Sequence, residues 1–173
     1  MDDMRERIRR EEGGLEGLMR KIPGFAGYKD REERRQADKI QRDFMADSLT
    51  RERERLSDVG SILMSHGGLR YLADVDRVRN VFDRVIERIR HATYGYGGFF
   101  DAIRINEQEL DRVYEYDLTM FHQVAAIGEA ITALGAAADG QADIADRLRN
   151  VEGYVKNLDR QLDERSRVMM GVN

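Results

Sequence analysis

Three histidines and one carboxylate on an apolar ladder are the side chains of this 173-residue chain whose spacing could do chemistry. A dinuclear iron or manganese site in a helical bundle needs a Glu-x-x-His pair on each of two helices, so that both ligands point inward one turn apart. Three residues before His66 stands Leu63, before His91 Arg88, and before His122 Thr119, so none of the three completes the motif. Asp117 is a different case. It falls between Val113 and Met120 on a run of apolar residues, and that spacing points it at a core. A buried carboxylate must be paired, hydrogen-bonded or protonated. One reading is a proton or metal site with Tyr114, Glu115 or His122 nearby. The other, preferred here, is a structural pin that pairs with an arginine or tyrosine of another helix and sets the register. Glu11 and Glu52 fill similar gaps and are read the same way.

Other chemistry lacks its motif. There is no Gly-x-Ser-x-Gly, no His-Glu-x-x-His and no Gly-x-x-x-x-Gly-Lys, and Gly95-Tyr96-Gly97 is followed at the decisive position by Phe100 instead of glycine. No catalytic residue, cofactor or metal is expected, and the chain is read as not an enzyme. The one compositional anomaly is Tyr94, Tyr96, Gly97, Gly98, Phe99 and Phe100. Rings supply contact area and glycines allow close approach, so the cluster is a candidate interaction site; its structural alternative is a packed kink.

The elements that must position these residues are legible as ladders of three- and four-residue steps. One runs Val75, Val78, Phe82, Val85, Ile89, Ala92. A second runs Leu110, Val113, then Met120, Val124, Ile127, Ile131, Leu134, Ala138. A third runs Ile144, Leu148, Val151, Val155, Leu158, Leu162, then Met169 and Val172. Such steps average 3.5 residues and lay the apolar groups along one stripe of a helix. The fold class is therefore all-α: an elongated antiparallel up-down bundle of four long helices, preceded by a short N-terminal amphipathic helix.

The N-terminal helix covers about residues 1–22, with Met4, Ile8, Leu15, Leu18 and Ile22 on its apolar side and Phe25 just beyond. Pro23, Gly24 and Gly27 break it. The division expected is residues 1–28 as helix and linker, and 29–173 as the bundle. The first rod starts near Asp30 and ends at Ser65, with Ala37, Ile40, Phe44, Met45, Leu49, Leu56, Val59 and Leu63 inward and His66-Gly67-Gly68 as its stop. Arg51-Glu52-Arg53-Glu54-Arg55 reads as a solvated face of helical ion pairs. Leu69 opens the second rod, which either persists through Tyr96, Phe99 and Ile103, the reading preferred here because it gives four rods of similar length, or stops near Thr93 and leaves 100–105 as an extended connector. Asn106 with Glu109 resembles a capping box and starts the third rod, which runs to Ala138; the fourth covers Ala142 to Met169.

Charge narrows the partners. Charged residues make up 36 % of the chain and the net charge is −4, a balance that does not favour nucleic acid. From Asp101 to Asp146 ten acids face two arginines, a balance of −8 that leaves +4 for the rest. An acidic helix of this kind suits an arginine-rich partner, in the same chain or in another copy. There is no cysteine, so disulfides and thiolate metal sites are excluded. No stretch approaches the roughly 18 apolar residues of a membrane span, and the acidic start without a following apolar stretch predicts no secretory signal. A cytoplasmic setting is expected.

An amphipathic helix ahead of long helical hairpins resembles the layout of phage-shock-protein-A and ESCRT-III membrane-remodelling proteins, a likeness of layout that rests on no motif residue. It implies a peripheral membrane-binding role for residues 1–22. Six bases and six acids in that helix oppose this, because interfacial helices want a basic polar face. The leading expectation is a non-enzymatic helical scaffold or interaction protein whose partner is another helical protein or itself, as a homo-oligomer held by its heptad-patterned helices. Peripheral membrane binding comes second and a carboxylate metal bundle third.

Overall fold

A computed structural model describes residues 17–24, 31–92, 107–140 and 142–169. Four long helices carry the fold: α1 (Arg31–Ser65), α2 (Leu72–His91), α3 (Glu107–Ala138) and α4 (Ile144–Met169), with a single 3-10 turn, Leu69–Tyr71, leading into α2. At 35 residues α1 is about 52 Å long. Residues 17–21 form a further helical piece. Among the described residues there is no strand, and the architecture is the all-α helical bundle that the ladders predict.

Each tight turn has a local cause. α1 ends because Gly67 takes φ 78°, a left-handed conformation that costs an L side chain about 1–2 kcal/mol. The Gly68 N–H then donates to Leu63 O at 2.7 Å and the Gly67 N–H to Met64 O at 3.4 Å. Two carbonyls of the last turn are thereby satisfied, the Schellman arrangement. At the second turn Asp143, a non-glycine residue, takes φ 56°, and its carbonyl accepts the Arg147 N–H at 3.0 Å. The expected start of the fourth rod at Ala142 is therefore corrected to Ile144.

The helices pack in a ring: α1 against α2, α2 against α4, α4 against α3, and α3 against α1. Short turns make α1/α2 and α3/α4 antiparallel. The two hairpins lie side by side with both turns at one end, where His66 Nε2 sits 3.7 Å from Asp139 Oδ1. Parallel neighbours therefore meet at a nearly constant offset. Arg55 of α1 reaches Thr132 of α3, 77 residues on, and Arg88 of α2 reaches Asp159 of α4, 71 residues on.

The ladders fill the interior. Val78, Phe82, Val85, Ile127, Leu134, Leu148, Val151, Val155 and Leu158 have essentially no exposed surface, and Ala92 is half-buried at the edge. Leu18 and Ile22 are also fully buried and belong to the same core, so residues 17–22 are seated on the bundle and not held apart from it. A Cβ on Gly17 would come within 3.2 Å of Leu118, which places this segment against α3.

Two expectations need correction. The second rod does not run unbroken past Ala92: α2 stops at His91 and Ala92 leaves the helix with φ −66° and ψ 15°, while residues 93–106, on which the rest of that expectation falls, lie outside the described residues. It is 20 residues long and shorter than its neighbours. On α1 the core phase is shifted at the N-terminal end. Asp38 and Gln41 are buried where Ile40 and Phe44 were expected, and those two pack at the core margin. Side chains of Ala37, Leu110, Met169 and Val172 lie outside the described residues.

Candidate functional site

The chemistry-bearing residues that the fold brings together form one buried cluster at the end of the bundle opposite the turns. All four helices contribute. α4 supplies Arg165, 2 % exposed, and α3 supplies Asp117, 0 % exposed. α1 supplies Asp38, Gln41 and Arg42, and α2 its terminal carbonyls. Arg165 Nε donates to Asp117 Oδ1, and Arg165 Nη2 lies 3.3 Å from Asp117 Oδ2. The same Nη2 is 3.2 Å from Asp38 Oδ1 and 3.4 Å from Gln41 Oε1. Asp38 Oδ2 in turn accepts from Arg42 Nε at 2.8 Å. Arg42 Nη1 extends the chain to the carbonyls of Ile89 and Arg90, at 3.4 and 3.3 Å.

Two carboxylates and two guanidiniums make the cluster electrically neutral. Arg42 closes the carbonyl end of α2 with a cation, where the helix dipole favours one. Guanidinium keeps its proton at every ordinary pH, so neither arginine serves as an acid or base. Both oxygens of each aspartate accept a charge-assisted hydrogen bond from a guanidinium of the cluster. Removing one member would strand a buried charge, whereas replacing a whole pair by apolar groups is often neutral. This is the chemistry of a register pin, the structural reading of Asp117.

The partners suggested for a metal site do not converge. Glu115 and His122 stand on the solvent side of α3, turned away from Asp117. Among the described residues no group of three or more histidine, aspartate and glutamate side chains is placed to hold a metal ion. Glu52 is half-buried and accepts from Arg55 Nη1 at 2.6 Å. The arginine–glutamate run around it does more than solvate a face, since Arg53 pairs with Asp83 of α2 and Arg55 crosses to Thr132 of α3 at 2.5 Å.

A cavity of about 310 Å³ opens above the cluster, between Arg42, Arg88, Ile89, Leu162 and Ser166. Arg88 on its rim is already committed: it bonds Asp159 at 2.6 Å and also Asp163. Burial works to lower the Arg88 pKa, but the hydrogen bonds to Asp163 and Asp159 and their charges outweigh it and raise it. Stability from this group is complete below the ordinary guanidinium range and is lost only above it, so it contributes no pH dependence near neutrality.

Of the remaining sequence candidates, Leu18 and Ile22 are core residues here and present no free surface. Tyr94, Tyr96, Gly97, Gly98, Phe99, Phe100, Met4, Ile8, Leu15, Phe25 and Glu11 lie outside the described residues. Arg165, Asp38 and Gln41 were missed. A signal for Arg165 existed: it stands between Leu162 and Met169 on its ladder as Asp117 stands between Val113 and Met120 on its own. Two opposite charges in the gaps of adjacent antiparallel ladders predict a pair. No protein-family model matches the chain, and no curated protein or solved structure is significantly similar to it.

Proposed function

We propose that this chain is a non-enzymatic helical scaffold or interaction protein that self-associates, acting through the outer faces of its bundle. One observation carries the reading. The cluster that unites polar groups from all four helices is buried and charge-balanced, with each of its two carboxylates held by a guanidinium, the arrangement of a structural joint. The described ladders are sealed inside a single chain, so association through those ladders would require the bundle to open; the outer surface is the economical alternative. A cytoplasmic setting belongs to this reading, and a cysteine-free chain fits it. Among the described residues no helix is long and apolar enough to cross a membrane. Use of residues 1–22 at a membrane surface would further require Leu18 and Ile22 to leave the core.

Light scattering after gel filtration tests the proposal. The expected mass exceeds the 20.0 kDa of one chain and rises with concentration. A constant 20.0 kDa from micromolar to millimolar protein overturns self-association.

A further inference from the structure

We propose that two copies of this chain exchange their N-terminal segments, residues 17–22 of each seating against α3 and α1 of the other in a two-fold pair. This deepens the self-association reading and rests on it. The starting observation is the length of chain that ties the segment to its own bundle. Gly17 lies against Leu118, while Lys21 lines a cavity with Phe44, Ser48 and Arg51 of α1 and Val124 of α3. The segment therefore points toward the turns. α1 begins at the opposite end, at Arg31, so the chain must double back to reach it. Phe44 and Ser48 stand 13 and 17 residues along the helix from Arg31, a rise of about 20–26 Å. Six residues, 25–30, join Gly24 to Arg31. Those seven Cα steps cover about 23–25 Å only when fully extended. The tether is barely long enough to close the segment onto its own bundle.

A short connection under strain favours exchange over closure. Pro23 and Gly24 are exposed where the segment leaves its seat, and Gly24, at φ 80°, reaches other backbone conformations at little cost, so the hinge can open. The partner is a second copy because the seat is already shaped for this segment: Leu18 and Ile22 are fully buried in it. Exchange keeps those contacts and changes only which chain supplies them. The four long helices stay closed on their own ladders. A foreign helix would have to displace Leu18 and Ile22 and match their packing without a tether. The segment is too short to hold a helix alone, so it rests on a seat, its own or a partner's. Low concentration favours its own seat, and high concentration the partner's.

The chain has no cysteine, so introduced thiols report the exchange directly. A Cβ on Gly17 lies 3.9 Å from Leu118 Cγ, close enough for a disulfide between the two positions. The full chain carrying both Gly17→Cys and Leu118→Cys is expected, on mild oxidation, to form a 17–118 link that joins two chains, seen as a covalent dimer of twice 20.0 kDa on a non-reducing gel. Chains carrying one substitution each, incubated together, are expected to give the same link, which neither can form within itself. A Gly-Ser-Gly-Ser insertion after Gly27 is expected to weaken association about tenfold, because a slack tether lets the segment close on its own bundle. Circular dichroism melts establish that each variant is folded. A dimer in light scattering whose 17–118 link forms within one chain, or whose affinity the insertion leaves unchanged, overturns the exchange and leaves self-association standing. A monomer at every concentration overturns both.

Discussion

Arg165 of α4 and Asp117 of α3 face each other inside the bundle, and the guanidinium engages both carboxylate oxygens through Nε and Nη2. The contact spans 48 residues of sequence and joins the two antiparallel helices far from their turn. Asp38 carries the same guanidinium on to α1, at 3.2 Å, and Arg42 carries the network to the end of α2. A slip of one helix by a turn would move an aspartate or an arginine into apolar surroundings. Hydrophobic ladders tolerate such slips, because one aliphatic layer resembles the next; buried charges do not.

The glycines sort by local geometry. Gly67→Ala should lower stability by about 1–2 kcal/mol, since its φ of 78° lies in the left-handed region. Gly153→Ala should raise it by about 0.5–1 kcal/mol, because the position is exposed inside α4 and an added Cβ meets nothing within 4 Å. Urea midpoints of the two variants moving in the same direction would refute the geometry assigned to one of them.

Burial predicts which apolar truncations matter. Leu148, fully buried, should cost about 2–5 kcal/mol on replacement by alanine. Met64, 54 % exposed beside the first turn, should shift stability by no more than about 0.5 kcal/mol. Thermal melts of the pair, compared at a common temperature, check the ranking.

Arg42 should matter through α2 as well as through Asp38. Arg42→Ala removes the donors to the Ile89 and Arg90 carbonyls and is expected to cost about 1–3 kcal/mol. Arg42→Lys should recover only part of that loss, since one ammonium cannot reproduce the guanidinium fork. Hydrogen exchange should accelerate first at the amides of the last turn of α2; unchanged exchange there would mean that Arg42 does not hold the helix end.

Much of the fold was legible because apolar periodicity reports burial directly. Val75 through Ile89, Met120 through Ala138 and Ile144 through Leu162 are core residues, and the stops at Ser65 and Ala138 follow from Gly67 and from Asp139-Gly140. Errors arose where polar residues occupy core positions. Asp38 and Gln41 carry no apolar signal, so Ile40 and Phe44 drew the α1 ladder out of phase. Arg165 was overlooked for the same reason, although its gap mirrors that of Asp117. The end of α2 was misplaced because Ala92, Tyr96, Phe99 and Ile103 continue the spacing past the point where the helix stops; periodicity marks a face and says little about where backbone hydrogen bonding ends.

The claim on which the account stands is that the buried charges of this chain hold its register. A double-mutant cycle between Asp117 and Arg165, read by urea denaturation, tests it most directly. Asp117→Leu and Arg165→Met should each cost about 3–5 kcal/mol, because each strands a buried charge, whereas the double replacement should cost far less than their sum, with Asp38 still held by Arg42 at 2.8 Å. Charges kept for a reaction commonly weaken a fold, so single replacements that leave the protein equally stable or more stable would contradict the structural role and point to a working site instead.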